Sequence, residues 1–335
     1  MARAERRPLG GNLLHDWQRT ALPLNAHIVT TITGKPKRAL IFSGGGARGA
    51  YQVGVWKYLL EMGWKPDLIC GTSVGAINAC ALGCGLDLEE MIQLWKSIER
   101  RSVYRVALWR QFLNMITRRG FTPLMDTEPL KNLILERLDL NELRHNPTEI
   151  VITAVNVLTS ELKFFNNKVI DIEHVMASSA IPILFPWVYV DGSPYWDGGV
   201  MMNNPILPAL ERGIKEVIVV LLSPVGGSRL PLPRNRRDAI ERVFEQQLMG
   251  SYEAFLAHLH YDRKRRRKMN AWQRMTYRSW QPSDLVLETV APQRMLGFHS
   301  ILNFSSRQAD DLLRLGYTDA KNQLSDFFGL RDTPY

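Results

Sequence analysis

A serine framed by glycines, Gly71-Thr72-Ser73-Val74-Gly75, follows a short apolar run (Asp67 to Gly71) and precedes a stretch of small residues with helical character. Flanking glycines let a chain turn sharply from strand to helix, leaving the serine hydroxyl exposed on a strained bend with the positive end of the helix behind it. That arrangement suits a nucleophile. A second turn, Gly44-Gly45-Gly46-Ala47-Arg48-Gly49, follows the apolar run Arg38 to Ser43. Its glycines let backbone N–H groups come within about 3 Å of an oxyanion, as acyl transfer through a tetrahedral intermediate requires. Arg48 adds fixed positive charge there, for the oxyanion or for a lipid phosphate. A serine at neutral pH also needs a base. Asp197, in Trp196-Asp197-Gly198-Gly199, follows a strand pattern and has glycines that free its carboxylate to point into a cleft. An isolated Asp-Gly-Gly is an ordinary turn; beside a serine elbow and a donor loop it reads as the base. The seven histidines (His15, His27, His145, His174, His258, His260 and His299) have no Gly-flanked or strand-end setting of that kind, and surface or core positions account for them.

The first glycine turn has a competing reading. Gly44, Gly46 and Gly49 also satisfy G-x-G-x-x-G, the dinucleotide fingerprint. That fingerprint wants an acid at the end of the second strand, about 20 residues on. Here Asp67 stands at the start of that strand and the serine turn occupies its end. No Gly-Lys-Ser/Thr follows the loop, which excludes a P-loop.

The elements that must position these turns are legible in outline. Strand, glycine turn, helix (Ala50 to Met62), strand, glycine turn, helix (Ala76 to Leu82) is the pattern of a parallel sheet with helices on its faces. Residues 87–140 read as helical throughout, with an aromatic and basic stretch from Trp95 to Arg119 that suits either a lid or acyl-chain wall or a helix with an apolar core face and a solvated basic face. Glu149 to Val155 is a strand pairing with Leu162 to Phe165, and Ile172 to Ser179 is a short helix ended by Ile181-Pro182. Asp191-Gly192 marks a hairpin between Trp187 and Trp196. Glu216 to Leu222 is a buried strand. Residues 226–238 read as an exposed loop, Arg237 to Tyr261 as a long helix, and the stretch from Ser305 as an amphipathic helix.

Composition bounds the rest. The 335 residues are 45% hydrophobic and 22% charged, enough for a full core, which excludes wholesale disorder. No segment reaches the ~20 apolar residues of a membrane-spanning helix, and the first 37 residues lack the apolar run of a signal peptide. Cys70, Cys80 and Cys84 are odd in number and close together, so they read as small core residues in a reducing compartment rather than a disulfide framework. A formal net charge of +9 favours a polyanionic partner. The six consecutive basic residues Arg263, Lys264, Arg265, Arg266, Arg267 and Lys268, with Trp272 beyond, fit an anionic membrane surface, a solvated face or a nucleic-acid patch. Beside a site suited to acyl transfer, membrane docking is the economical reading, and no nucleic-acid module is recognisable.

Gly44 to Gly49, Gly71 to Gly75, Ala177-Ser178-Ser179-Ala180-Ile181-Pro182 and Asp197 to Gly199 resemble, in order and spacing, the blocks of the patatin-like phospholipases. The resemblance covers about residues 38–224 and extends to Asn303-Phe304-Ser305 and Gly316-Tyr317. It implies an α/β fold, a three-layer α/β/α sandwich with a mostly parallel central sheet, and a Ser–Asp dyad without histidine. In that reading Ser73 is the nucleophile, Asp197 the base, and the amides of Gly45 and Gly46 the oxyanion donors, supported by Arg48. Phospholipid or lysophospholipid is the implied substrate, with no cofactor and no metal. The expected organisation is an irregular leader (1–37), a catalytic core (38–224) with a helical insertion at about 87–146, and a C-terminal helical extension (225–335). The expected location is cytoplasmic with peripheral membrane association. An acyltransferase using the same acyl-serine and a non-catalytic lipid-binding protein are the alternatives. Activity controlled by Asp197 is expected to fall at acid pH, whereas control near neutrality is expected from a histidine.

Overall fold

Alternating side chains along short apolar strands give this sheet two buried faces. The computed structural model describes residues 38–106, 123–225, 232–269, 285–297 and 299–329. The expected leader lies outside them. In β1 (Arg38–Phe42), Leu40 and Phe42 point to one face and Ala39 and Ile41 to the other, all at most 1% exposed. A strand covered on both sides requires this. β1 leads through a 3-10 turn (Gly46–Gly49) into α1 (Ala50–Glu61), and β2 (Leu68–Gly71) runs almost directly into α2 (Val74–Gly83). After α3 (Leu88–Ser97) come β3 (Arg105–Val106), β4 (Met125–Asp126) and α4 (Glu128–Arg137). Then follow β5 (Glu149–Asn156), β6 (Leu162–Asn166), α5 (Ile172–Ser178), β7 (Val188–Val190) and β8 (Ser193–Asp197). The chain closes with α6 (Leu207–Glu211), β9 (Glu216–Val220), α7 (Arg236–Arg267), β10 (Val286–Val290) and α8 (Ser306–Gln323).

The sheet order is β10-β9-β1-β2-β5-β8-β7, with β6 also on β5. The five strands from β10 to β5 are parallel; β6 and β8 run antiparallel to β5. One face packs under α1 to α5 and α8, the other under α6 and α7, giving the three layers expected. α1 and α8 touch backbone to backbone. A Cβ on Gly54 would lie 2.1 Å from the Leu313 carbonyl oxygen, and one on Gly316 2.1 Å from that of Tyr51. The Tyr51 hydroxyl then donates to Asp319 Oδ2 at 2.9 Å.

The hairpin at Asp191-Gly192 has φ of 49° and 77° at its two central residues, the positive pair that a two-residue hairpin turn demands. The β5–β6 pairing and the helix at 172–178 also lie where the sequence puts them. Two expectations are corrected. Residues 87–140 are not helical throughout, because β3 and β4 pair as a short antiparallel ribbon; residues 107–122 between them, including Trp109, Phe112, Arg118 and Arg119, lie outside the described residues. The C-terminal part is not only helical either, since β10 extends the sheet beside β9. Cys70 and Cys80 are buried and Cys84 nearly so, all three as free thiols.

Candidate active site

Parallel strands end in loops at their carboxyl edge, where open α/β sheets bind ligands. β1 and β2 are neighbours in register Phe42 to Gly71, so the glycine loop and the serine turn emerge side by side. A Cβ on Gly44 would stand 2.9 Å from the Ser73 Cβ, so only glycine fits there. Ser73 itself has φ 57° and ψ −127°, strained for a non-glycine residue, directly ahead of α2. Its amide donates to Ser178 Oγ at 3.1 Å, which fixes the bend from the α5 side. Gly71 and Gly75 close that bend: a Cβ on Gly71 would lie 2.3 Å from the Gly75 carbonyl oxygen.

Asp197 arrives from the opposite direction. β6 takes one edge of β5 along Val151–Val155, so β2, at Glu149–Ile152, and β8, at Ala154–Asn156, must share the other edge. β2 ends opposite Ile152 and β8, running the other way, ends with Asp197 opposite Ala154. The two strand ends therefore meet head to head. The Asp197 carboxylate faces the Ser73 side chain, which helps to hold it ionised, and the Gly199 amide donates to Asp197 Oδ1 at 2.7 Å. Thr72 Oγ1 and Thr153 Oγ1, 2.8 Å apart, tie the junction to β5. Gly198 packs against Thr153, where a side chain would collide.

Burial raises the Asp197 carboxyl to about 7, against the smaller lowering effects of the Ser73 side chain and the Gly199 amide. A carboxylate left in so dry a place binds a proton far more readily than in water. This corrects the expected pH criterion: titration near neutrality belongs to Asp197 itself and does not mark a histidine. His174 is engaged elsewhere, capping α5 with Nδ1 2.5 Å from Asp171 Oδ1.

Residues missed from the sequence bind these loops together. Asn203 accepts the Gly44 amide at Oδ1 (3.1 Å) and donates from Nδ2 to the Gly44 carbonyl (3.3 Å), joining the glycine loop to the loop after Asp197. The only sequence signal was an Asn203-Asn204-Pro205 turn close behind the Asp-Gly-Gly. Ser178 lay inside a block already noted, without a role. Among the described residues no acceptor takes the amides of Gly45 or Gly46.

Arg48 is corrected. Its guanidinium is wholly buried and turned into the protein, paired with Glu245 of α7. It also donates to the Leu222 carbonyl (3.0 Å), the Gly297 carbonyl (3.0 Å), Ser300 Oγ (2.7 Å) and Ser223 Oγ (3.3 Å). With its donors so engaged, the side chain holds the glycine loop against α7 and does not reach toward an oxyanion or a phosphate.

The basic run is relocated as well. Gln247 of α7 donates to the Val200 carbonyl, close behind Asp197, at 2.8 Å. Arg263, sixteen residues or about 24 Å further along the helix, donates to the Leu285 carbonyl at the entrance of β10. That is the amino edge of the parallel strands, opposite to Ser73. Arg263, Lys264, Arg265 and Lys268 are exposed there, Arg266 and Arg267 continue the helix, and Trp272 lies outside the described residues. Membrane docking by this run beside Ser73 does not follow from its position.

Beside Ser73 opens a narrow apolar cavity. Val74 and Ile77 line it from α2, Leu94, Trp95 and Ile98 from the α3 segment, and Leu130, Ile134 and Leu138 from α4. Gly46, Phe185 and Leu302 complete its walls. It follows α4 for eight residues, about 12 Å. The stretch beginning at Trp95 thus serves as a wall over its described part.

A strained serine turn at the carboxyl edge of a three-layer sandwich places the chain in the class of α/β ester hydrolases. The Patatin family model, described as patatin-like phospholipase, matches residues 40–210, and the chain belongs to that family. It is 30% identical over 202 residues to a cGAMP-activated phospholipase of Pseudomonas aeruginosa, covering 54% of this chain and 58% of that one. To a cGAMP-activated phospholipase of Vibrio cholerae it is 26% identical over 211 residues, with the same coverage. To human calcium-independent phospholipase A2-gamma it is 26% identical over 213 residues, covering 55% of this chain and 27% of that one. The chain thus spans little more than half the length of these bacterial relatives. The crystal structure of VipD from Legionella pneumophila aligns with a TM-score of 0.44 at 15% identity, over 88% of this chain and 67% of that one. Among the described residues no helix is long and apolar enough to cross a membrane.

Proposed function

We propose that this chain hydrolyses the acyl ester of a phospholipid or lysophospholipid, with Ser73 as nucleophile and Asp197 as general base. The observation that carries the reading is the placing of Ser73, on its strained turn, against the Asp197 carboxylate in a desolvated junction, with an apolar cavity opening at the serine. Ser73 Oγ bonds to the ester carbonyl carbon and its proton passes directly to Asp197. The carbonyl electron pair becomes an oxyanion, for which the uncommitted amides of Gly45 and Gly46 are the donors. Collapse breaks the bond to the leaving alcohol, which takes the proton from Asp197. Water then repeats the sequence on the acyl-serine, releasing the fatty acid. The acyl chain lies in the cavity between α2, α3 and α4, where its burial supplies binding energy.

The test is fatty-acid release from phospholipid vesicles by wild type, Ser73→Ala and Asp197→Asn, with a fluorophosphonate probe applied to all three. Because two bacterial relatives are named as cGAMP-activated, each assay is run with and without cGAMP. Wild type is expected to release fatty acid and label at Ser73, and both variants to lose on the order of 10³-fold in turnover while remaining folded. Turnover that survives Asp197→Asn, or labelling at another serine, overturns the assignment.

A further inference from the structure

Ile183 has φ 72°, a left-handed backbone that a β-branched residue adopts only under strain, and its side chain is 63% exposed. Ile181 and Phe185, on either side of it, line the Ser73 cavity. The loop thus turns one isoleucine outward at the cavity wall, where asparagine or glycine would sit more easily. The Leu124 amide donates to the Ile183 carbonyl at 3.2 Å, and Leu124 is exposed too. Next to it, Met125 shares a surface groove with Ile240 of α7 and Leu302, and Leu302 also lines the Ser73 cavity. Ile240 and Val243, one helical turn apart, are 63% and 66% exposed. Gln247, the next turn, bonds to Val200, which with Met201 stands exposed just after Asp197-Gly198-Gly199.

These contacts join Ile183, Leu124, Ile240, Val243, Val200 and Met201 into an arc of exposed apolar side chains around the approach to Ser73. A patch of that kind marks an interaction surface. Its charged border is mixed with cations in excess: Arg100 in the same groove, Arg105 on β3 and Arg236 at the start of α7 are exposed, against Asp126 opposite Arg105 and the exposed Glu128. Apolar tips among cationic side chains complement an anionic lipid surface.

We infer that this arc docks on an anionic phospholipid bilayer, with Ile183, Ile240 and Val243 entering the headgroup layer and the cavity mouth set against the lipid. The inference rests on the lipid-hydrolase reading of Ser73, so binding is measured apart from turnover, in a Ser73→Ala background. The probe is vesicles of phosphatidylglycerol and phosphatidylcholine in equal parts, read by flotation. The Ser73→Ala parent is expected to float with the vesicles. Adding Ile183→Asn, Ile240→Ser and Val243→Ser is expected to weaken partitioning about tenfold or more. The added variant should still melt cooperatively, since asparagine tolerates the backbone at 183 and the other two sites are exposed. Arg263→Gln with Lys264→Gln and Arg265→Gln, at the far end of α7, is expected to bind as the parent does.

A parent that does not bind, or an arc variant that binds as the parent does, overturns the inference. So does binding lost with the far-end variant instead. A parent dimer that the arc variant dissolves would assign the arc to a second copy of this chain. Fatty-acid release by wild type is scored separately, so failure of the hydrolase reading leaves the binding result intact.

Discussion

At Asp197 one carboxyl has to be both dry and basic, and the two demands shape its behaviour with pH. As the proposed base it must be ionised, so activity is expected to fall about tenfold per pH unit below 7. Stability runs the other way. The folded-state value lies above the unfolded one, so this group's contribution is fully present below the unfolded value and lost as pH rises through about 7. Asp197→Asn keeps the shape and removes the buried charge. It is expected to raise Tm at pH 8 and to raise it less at pH 5, while abolishing turnover; thermal melts at both values check this, and an unchanged or lowered Tm at pH 8 contradicts the burial account. The serine turn, the Asp-Gly-Gly turn and the glycine loop were legible because strained turns and close approaches restrict residue type. Asn203 and the inward course of Arg48 were not, because a hydrogen bond or ion pair to a distant element leaves no local pattern.

Among elements, the close crossing of α1 and α8 depends on Gly54 and Gly316, each facing the other helix's backbone. Gly316→Ala is expected to cost about 1–3 kcal/mol, read by urea denaturation, since a methyl there forces the helices apart. Strands that announced themselves were those with uninterrupted apolar runs or a positive-φ hairpin turn. β10 was hidden because it is only partly buried at the edge of the sheet and carries a glutamate at its middle, and its five residues follow a long basic stretch. The meeting of β2 and β8 along one edge of β5 was equally invisible. It is a matter of pairing, and a strand sequence specifies its own faces far better than its neighbours.

For the whole molecule, the match to the family spans residues 40–210, yet the sheet does not end there. β10 covers the free edge of β9, and Glu245 neutralises Arg48 in the interior. A fragment ending at residue 224 would expose the buried β9 edge and leave Arg48 unpaired, a loss of about 3–5 kcal/mol for the pair alone. Residues 38–224 expressed alone are therefore expected to be insoluble, while the full chain is soluble. A monomeric, cooperatively melting fragment would contradict this. The extension is expected to fold together with the core, on which the sequence reading already had it packing; what that reading lacked was the strand by which it does so.

The head-to-head junction on β5 also governs when a chain acquires reactivity. Ser73 and Asp197 are brought together only after β5 has paired with both β2 and β8, and β8 is made long after the serine. During synthesis the nascent protein therefore carries the proposed nucleophile, Ser73, before the proposed proton acceptor, Asp197, exists. In the proposed mechanism, hydrolysis can begin only once that pairing is complete, so an unfinished chain is expected to be inactive toward esters.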